Sequence, residues 1–597
     1  QEVQVVSTRA TSKTPVAYSN ISQKEIQKQN FGLDLPFLLT ATPSVLTTSD
    51  AGSGVGYTSI RVRGTDATRI NITANGIPMN DAESHSIFWV NTPDLASSLE
   101  DMQIQRGAGT STNGAGAFGA SINLRTAGIP SKAYAEVSGS YGSFNTHKET
   151  VRVGSGLLGN HWAFDARISN IQSDGYRDRA TSDLKSYFLQ GGYYGENTTL
   201  KLIAFGGKEK TYHAWDGISR EQLETDRTYN PNGAIKDDNL NKGNIIGFYD
   251  DQTDNYEQTN YQLIFNHLFS PEWHLNIALH YTDGFGYYQE YKNGRTLEEY
   301  GLKPFYLPEN TEAQTKTNLV RQKLVDSGFG GGVFSVDYKD EKLSASLGGG
   351  LNHYSNDHYG KVIWVKNYTE PLNPDHEYYR NNGSKTDGNI YAKANYQITK
   401  GLHAYADLQY RYISYKIEGD NDKWDWTADP GHLQRLNVNE DFSFFNPKAG
   451  LFWQFNPNHS AYASFAVAQK EPTRNNYTDG LFDELPRPEK MLDYELGYTF
   501  RNSRFTAGVN LYYMDYTDQL VLNGKVNDIG EAMAENVKDS YRMGIELSLG
   551  ARITDWLRWD LNGTWSKNRI KNYTGYMSDY NQNWKELYTQ TAIYAGD

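Results

Sequence analysis

The chain has 597 residues, a formal net charge of -14, 38% hydrophobic residues and no cysteine, with a mean hydropathy of -0.69. The acidic balance argues against a nucleic-acid partner, which would call for a basic stripe, and the lack of cysteine excludes disulfides and thiolate metal sites. No run approaches the ~18 consecutive apolar residues of a spanning helix, which excludes membrane helices but not a membrane barrel, whose strands each carry only a weak apolar signal.

Residues 1–127 read as a small mixed α/β domain with short strands and glycine-rich turns. Gln1 is not an initiator Met, so the chain reads as processed or trimmed. A helical stretch is predicted from Ser22 through Leu39, with Ser22 as N-cap and Glu25 at the capping-box position. The turn Asn75-Gly76-Ile77-Pro78 precedes Asn80 to Asn91, expected to form a loop at one end of the domain. Gly114 to Gly119 fits G-x-G-x-x-G but opens no helix in a βαβ unit, so a dinucleotide reading fails.

From residue 133 onward a period-two pattern recurs about seventeen times. Ala404, Ala406, Leu408, Tyr410 and Tyr412 share one face of a strand while His403, Tyr405, Asp407, Gln409 and Arg411 share the other, because successive side chains point to opposite sides of the pleat. Leu557, Trp559, Leu561 and Trp565 separate from Arg558, Asp560, Asn562 and Thr564 in the same way. The 44 Tyr and 12 Trp suit aromatic girdles at two membrane interfaces.

Connections alternate short and long. Short ones fall at Ser270 to Trp273, Lys339 to Lys342, Thr399 to Leu402, Asn456 to His459, Arg501 to Arg504 and Thr554 to Trp556; polar excursions lie near 208–255, 287–327, 356–386, 417–441, 470–489 and 517–537. Antiparallel hairpins turn at opposite ends, so this parity puts the short turns on one side and the long loops on the other, the outer-membrane barrel pattern. A barrel of about twenty strands has a wide lumen, and the N-terminal domain is the candidate plug for it. His353 and His358 are noted as a pair that could bind metal, surface positions being the plainer reading.

The runs TSIRVRGTDATRINITANGIPMNDAES (58–84) and LEDMQIQRGAGTSTNGAGAFGASINLRT (99–126) resemble the plug of TonB-dependent outer-membrane receptors. FNPKAGLFWQFNPNHSAYASFAVAQKEPTRNNY and LPRPEKMLDYELGYTF resemble that family's barrel. The resemblance implies a mostly β protein, a large antiparallel transmembrane β-barrel of 22 strands with about 18 within these 597 residues, plugged by an N-terminal α/β domain. The plug is placed at 1–127 and the barrel at 128–597, with the final four or so strands expected to be missing.

The resemblance further implies active, non-enzymatic import in the outer membrane of a Gram-negative bacterium, with no cofactor. TonB and its inner-membrane complex would be partners, alongside outer-membrane lipid and lipopolysaccharide, with a surface lipoprotein as an optional further partner. The implied ligand is a ferric siderophore or ferric citrate-like chelate; haem, cobalamin or a glycan are alternatives within the family, and a passive diffusion porin is the alternative outside it. Residues 465–490 lack the histidine that haem receptors place there. Residues 1–10 are the candidate TonB-box region, with Glu2, Val3, Gln4, Val5 and Val6 as the box itself, which would pair as an added strand. Arg61, Arg63 and Arg106 in the plug match positions that pair with barrel glutamates, here Glu495 and Glu546, as a charge latch. Asn80, Glu83, His85 and Trp89 of the plug loop, and His213, Trp215 and Arg220 of the first long barrel loop, are the candidate ligand contacts, the latter offering aromatic surface and positive charge suited to anionic chelates.

Overall fold

The computed structural model describes residues 9–111, 116–237, 243–308, 311–373, 376–425, 428–479, 485–526, 532–580 and 586–595. Among the described residues seventeen antiparallel strands curl into a barrel, each paired to the next from Ala133–Tyr141 to Arg558–Ile570, with register shifts at bulges such as that between Lys292 and Arg295. The six short connections stand where the sequence parity places them, for example between Glu489–Arg501 and Phe505–Val526.

The barrel is polar inside and apolar outside. Leu408, Tyr410 and Tyr412 are exposed on the outer face while His403, Asp407, Gln409 and Arg411 are buried in the lumen. Trp559, Leu561 and Trp565 are likewise exposed. An apolar outer belt on a hydrogen-bonded ladder is the arrangement hydrocarbon requires, since unpaired backbone groups are costly there.

The loops are shorter than the sequence pattern suggests, because the strands run on. Leu402–Asp425 has 24 residues and His432–Asn456 has 25, whereas about 9–11 tilted residues cross the bilayer. Beyond the hydrocarbon both faces meet water, so the alternation fades and the extensions look like loop in sequence. After Arg558–Ile570 the chain forms a hairpin, Asn572–Tyr580 with Glu586–Ala595, packed beside Phe505–Val526.

Inside the barrel lies a five-stranded sheet in the order Tyr18–Ser22, Leu99–Arg106, Ala120–Thr126, Ile70–Ala74, Ile77–Pro78. Its core is Ile70, Ile72, Ile104 and Ile122 with Leu38, Leu39 and Trp89, and it continues into Phe188, Ile203 and Phe205 of the barrel wall. The expected helix is broken: Gln23–Gln27 is helical and Leu35–Leu39 is a 3-10 turn. Gly32 between them has φ +122, outside any helix, and Pro36 starts the second piece. The predicted capping contact is present, Ser22 N and Oγ both donating to Glu25 at 2.9 and 2.7 Å.

Candidate functional site

Three tiers of polar contact join plug and barrel. The lowest is set by Glu489–Arg501, whose residues at even spacing, Glu489, Asp493 and Glu495, all face the lumen. Arg63, with its side chain fully buried, donates to Glu495 at 2.6 Å and to Glu546 at 3.0 Å. Arg106 Nε donates to the second Glu546 oxygen at 3.0 Å. Ser44 donates to Glu546 at 2.6 Å, Tyr462 donates to Glu495 at 3.0 Å, and the Arg63 guanidinium lies 4.1 Å over the Tyr512 ring. Two charges taken out of water are tolerated only when paired and hydrogen-bonded in this way. Gly107, at φ +82, is required by the close approach: a Cβ there would lie 2.2 Å from Asp493 Oδ2 and 2.5 Å from Glu495 Oε1. Elsewhere between plug and barrel, Arg69 pairs with Glu489, and Asp94 pairs with Lys148 and Arg167.

The middle tier is the plug apex. Asn80 holds the loop closed, its side chain accepting from Ile72 N at 2.7 Å and donating to the Ile70 and His85 carbonyls at 2.9 Å. Glu83, 2% exposed, sits in a socket of three barrel strands and one loop. It accepts from His358 at 2.7 Å, Arg474 at 2.9 Å and Tyr415 at 2.9 Å. Burial alone would raise its pKa, but His358 and Arg474 outweigh burial and hold it at about 2. Gly383 makes the socket possible, since a Cβ there would meet Glu83 Oε1 at 1.9 Å.

Beside the socket, His85 occupies a left-handed conformation at φ +59. Lys385 Nζ donates to His85 Nε2 at 2.8 Å and to Glu471 at 2.6 Å, and Arg411 donates to Glu471 at 2.9 Å and to Asp387 at 2.6 Å. Burial, together with Lys385 and Lys470, keeps the His85 pKa well below its ordinary value, so its ring is neutral. Asn80, His85, Lys385, Arg411, Lys470 and Glu471 line a cavity of about 90 Å³, room for a few water-sized groups or the end of a polar arm.

The upper tier is aromatic and charged. His213, 1% exposed, stacks on Trp215 at 4.0 Å, and Trp215 meets Tyr57 of the plug and Tyr288 of the wall edge-on, each at 5.8 Å. Burial pushes the His213 pKa down to about 4. Higher on the wall, Arg321 pairs with Glu290 at 2.9 Å and Lys323 with Asp422 at 2.5 Å, while Lys323 Nζ lies 5.6 Å from the Tyr288 ring centre.

A plug of mixed α/β structure, fixed by buried ion pairs inside an apolar-faced barrel, is the architecture of two matching family descriptions. "TonB-dependent Receptor Plug Domain" matches residues 10–121 and "TonB dependent receptor-like, beta-barrel" matches 192–595. The chain belongs to the TonB-dependent receptor family. The family consists of transport receptors rather than enzymes, and its members are outer-membrane β-barrels of Gram-negative bacteria. The receptor is 22% identical to a ferric enterobactin receptor of Pseudomonas aeruginosa over 95% of this chain and 78% of that protein. Among solved structures it is similar to the ferric-catecholate import receptor Fiu of E. coli K12 in its closed form, with TM-score 0.70, 17% identity, and coverage of 98% of this chain and 84% of that one. It is similar also to the unliganded ferric citrate transporter FecA, with TM-score 0.69, 14% identity, and coverage of 94% and 79%. The copper transporter OprC has a TM-score of 0.71 at 14% identity, covering 94% of this chain and 82% of that one.

Against this geometry the sequence-nominated residues of the receptor separate. Arg63, Arg106, Glu495 and Glu546 come together, whereas Arg61 is exposed on the strand Thr58–Val62 and stays outside the cluster. The alternation ends at Val62, and Arg63 turns inward from a left-handed conformation at φ +52. Asn80 and His85 line the apical cavity, while Glu83 is committed to its socket. Trp89 is 4% exposed and belongs to the plug core, which corrects its nomination as a ligand contact: its large apolar ring is worth more against Phe188 and Phe205 than in water. Arg220 projects from the helix Arg220–Thr225, its side chain 93% exposed and 3.9 Å from Glu224. It lies apart from the apical cavity. His353 and His358 lie five residues apart on one strand, Leu343–Val365, hence on opposite faces, and His358 serves Glu83. Glu2 to Val6, and Gly114 of the glycine motif, lie outside the described residues.

Missed from sequence were Arg69, Asp94, Lys385, Arg411, Glu471 and Arg474. Glu489 could have been found, since it is six residues from Glu495 on the same strand and therefore on the same face.

Proposed function

We propose that this receptor imports a ferric chelate of the siderophore or ferric citrate kind, drawing on TonB and its inner-membrane complex for energy. The observation that carries the reading is the likeness to a ferric enterobactin receptor across 95% of the chain. Site chemistry supports it. Cations buried in the apical wall, Lys385 and Arg411, and Arg321 with Lys323 above them, suit an anionic chelate, and tyrosine and tryptophan faces suit its organic frame. A chelate would enter between the long outer strands, meet the Trp215 and Tyr288 rings, and settle on Asn80 and His85.

Passive diffusion does not fit this lumen. The plug sheet fills it, and Arg63, Arg69 and Asp94 tie that sheet to the wall by buried ion pairs. Opening a path therefore needs work on the plug, which is what coupling to TonB would supply. In this reading the chain segment ahead of the described plug, including Glu2 to Val6, presents the strand TonB takes.

Calorimetric titration of the purified receptor with ferric citrate, a ferric catecholate, a ferric hydroxamate, haemin and cobalamin tests the ligand class. Tight binding of a ferric chelate, weakened by Lys385→Met, is the expected result. Binding of haemin or cobalamin alone would keep the family and overturn the ligand.

A further inference from the structure

The plug apex and an outer loop grip each other through residues only three apart. Glu471 and Arg474 lie on the segment that leaves the strand His459–Lys470. Glu471 bridges Lys385 at 2.6 Å and Arg411 at 2.9 Å, with His85 of the plug 3.3 Å away. Arg474 holds Glu83 twice, its guanidinium donating to the carboxylate at 2.9 Å and its backbone N to the Glu83 carbonyl at 2.9 Å. Pro472 fixes one backbone torsion between them. Thr473 is tied to Asn476, its N and Oγ donating to Asn476 Oδ1 at 2.8 and 2.9 Å, and Tyr477 is buried against Tyr415, Ile417, Leu436 and Val438. The segment Glu471 to Thr478 is thus a short, stiff strap whose two ends touch different things. Glu471 at its start faces the apical cavity, Arg474 within it holds the plug, and Tyr477 near its end is anchored in the barrel wall.

The cavity wall presents Lys385, Arg411 and Lys470 against Glu471, Asp387 and Asp81. Arg411 keeps Asp387 as a partner in its own right, whereas Lys385 has Glu471 as its carboxylate among the described ion pairs. A second anion entering this cavity meets the like charge of the carboxylates already there, and is accommodated best where one of them gives up its cations. Asp81 is held by the Tyr354 hydroxyl and by backbone N–H groups, whereas Glu471 is paired to Lys385 and Arg411 from a segment outside the strands, and so is the one able to leave.

We propose that an anionic group of the incoming chelate displaces Glu471 from Lys385 and Arg411, and that the strap, moving as a unit, then withdraws Arg474 from Glu83. The exchange of one carboxylate for another makes occupancy of the cavity loosen the apex of the plug. The identity of the displacing anion rests on the ferric-chelate reading above; the mechanical link from Glu471 to Glu83 does not.

The test is hydrogen exchange at the amides of Asp81 to Ser86 in the full-length receptor in detergent, for wild type, Glu471→Gln, Glu471→Asp and Arg474→Gln, with ferric citrate titrated into each. Without chelate, Glu471→Gln and Arg474→Gln should each exchange about tenfold faster than wild type or more, and Glu471→Asp should stay close to wild type. Glu471→Gln should also bind ferric citrate more tightly, by about tenfold, because its cations are already released, and Arg474→Gln should bind more tightly too, because the chelate no longer has to break the contact with Glu83. A structural lesion alone would weaken binding in both. Unchanged exchange in Glu471→Gln, or chelate binding to wild type with no faster exchange at the apex, overturns the interlock and leaves import standing. Failure of wild type to bind any ferric chelate of the wider panel overturns the import reading, while the chelate-free comparison still decides the link.

Discussion

Glu546 is the residue on which the lower attachment of the plug converges, taking Arg63, Arg106 and Ser44 at once. Removing one partner of such a buried group leaves the others uncompensated, at a cost of about 3–5 kcal/mol. Glu546→Gln should therefore let denaturant expose the plug to protease well before the barrel unfolds, and coincident plug and barrel transitions at wild-type denaturant would contradict this. Glu83 carries a pH dependence of definite sign. Its pKa is held at about 2, below the unfolded value of about 4.3, so its contribution to apex docking is present above that unfolded value and is lost as pH falls toward 2. Exchange at Asp81 to Ser86 should be flat from pH 7 to about 5, once corrected for intrinsic exchange, and accelerate below about 4.5. The Glu83→Gln variant should lack that acid limb; an identical limb in the variant would assign it to other groups.

At the scale of elements, the socket strand Glu377–Gln397 shows how a glycine sets a docking surface. Gly383→Ala would place a methyl 1.9 Å from the Glu83 carboxylate, and since the clash is with a group held by three other partners, the apex should be driven out of its socket. Faster apical exchange in Gly383→Ala with an intact barrel is the expected result, and wild-type protection would show that the wall can yield. Much of this level was legible beforehand. Period-two alternation marked the strands because lipid and lumen demand opposite chemistry on the two faces, and turn parity marked their direction. The strand extensions were illegible because water bathes both faces there. A helix running from Ser22 through Leu39 rests on a capping signal confined to Ser22 and Glu25, whereas Gly32 within that stretch breaks it and the plug core draws in Leu38 and Leu39. The lower latch was readable through resemblance, in residues of fixed position on regular strands. The apical partners were not: Glu83 and Arg474 are separated by 391 positions, and nothing in either local pattern names the other.

At the scale of the whole molecule, the plug is held in the lumen by buried ion pairs as well as by apolar packing. The pairs that join plug to barrel, Arg63–Glu546 below and Arg474–Glu83 at the apex, are side-chain contacts separate from the backbone ladder of the wall. That division suits a transporter whose plug must move while its wall stays sealed to the bilayer. It also predicts that the outer strand extensions matter for capture and not for stability: Lys323→Met should reduce chelate affinity while leaving the barrel's denaturant midpoint within error, and a matching fall in both would point to a structural role for the Lys323–Asp422 pair.

The measurement that bears most directly on the central claim is uptake of radiolabelled ferric chelate by intact cells expressing the receptor, with and without TonB. The account predicts accumulation that requires TonB, and loss of that accumulation in Lys385→Met at chelate levels sufficient for wild type. Accumulation at the same rate without TonB, or no accumulation of any ferric chelate by cells that display folded receptor, would contradict it.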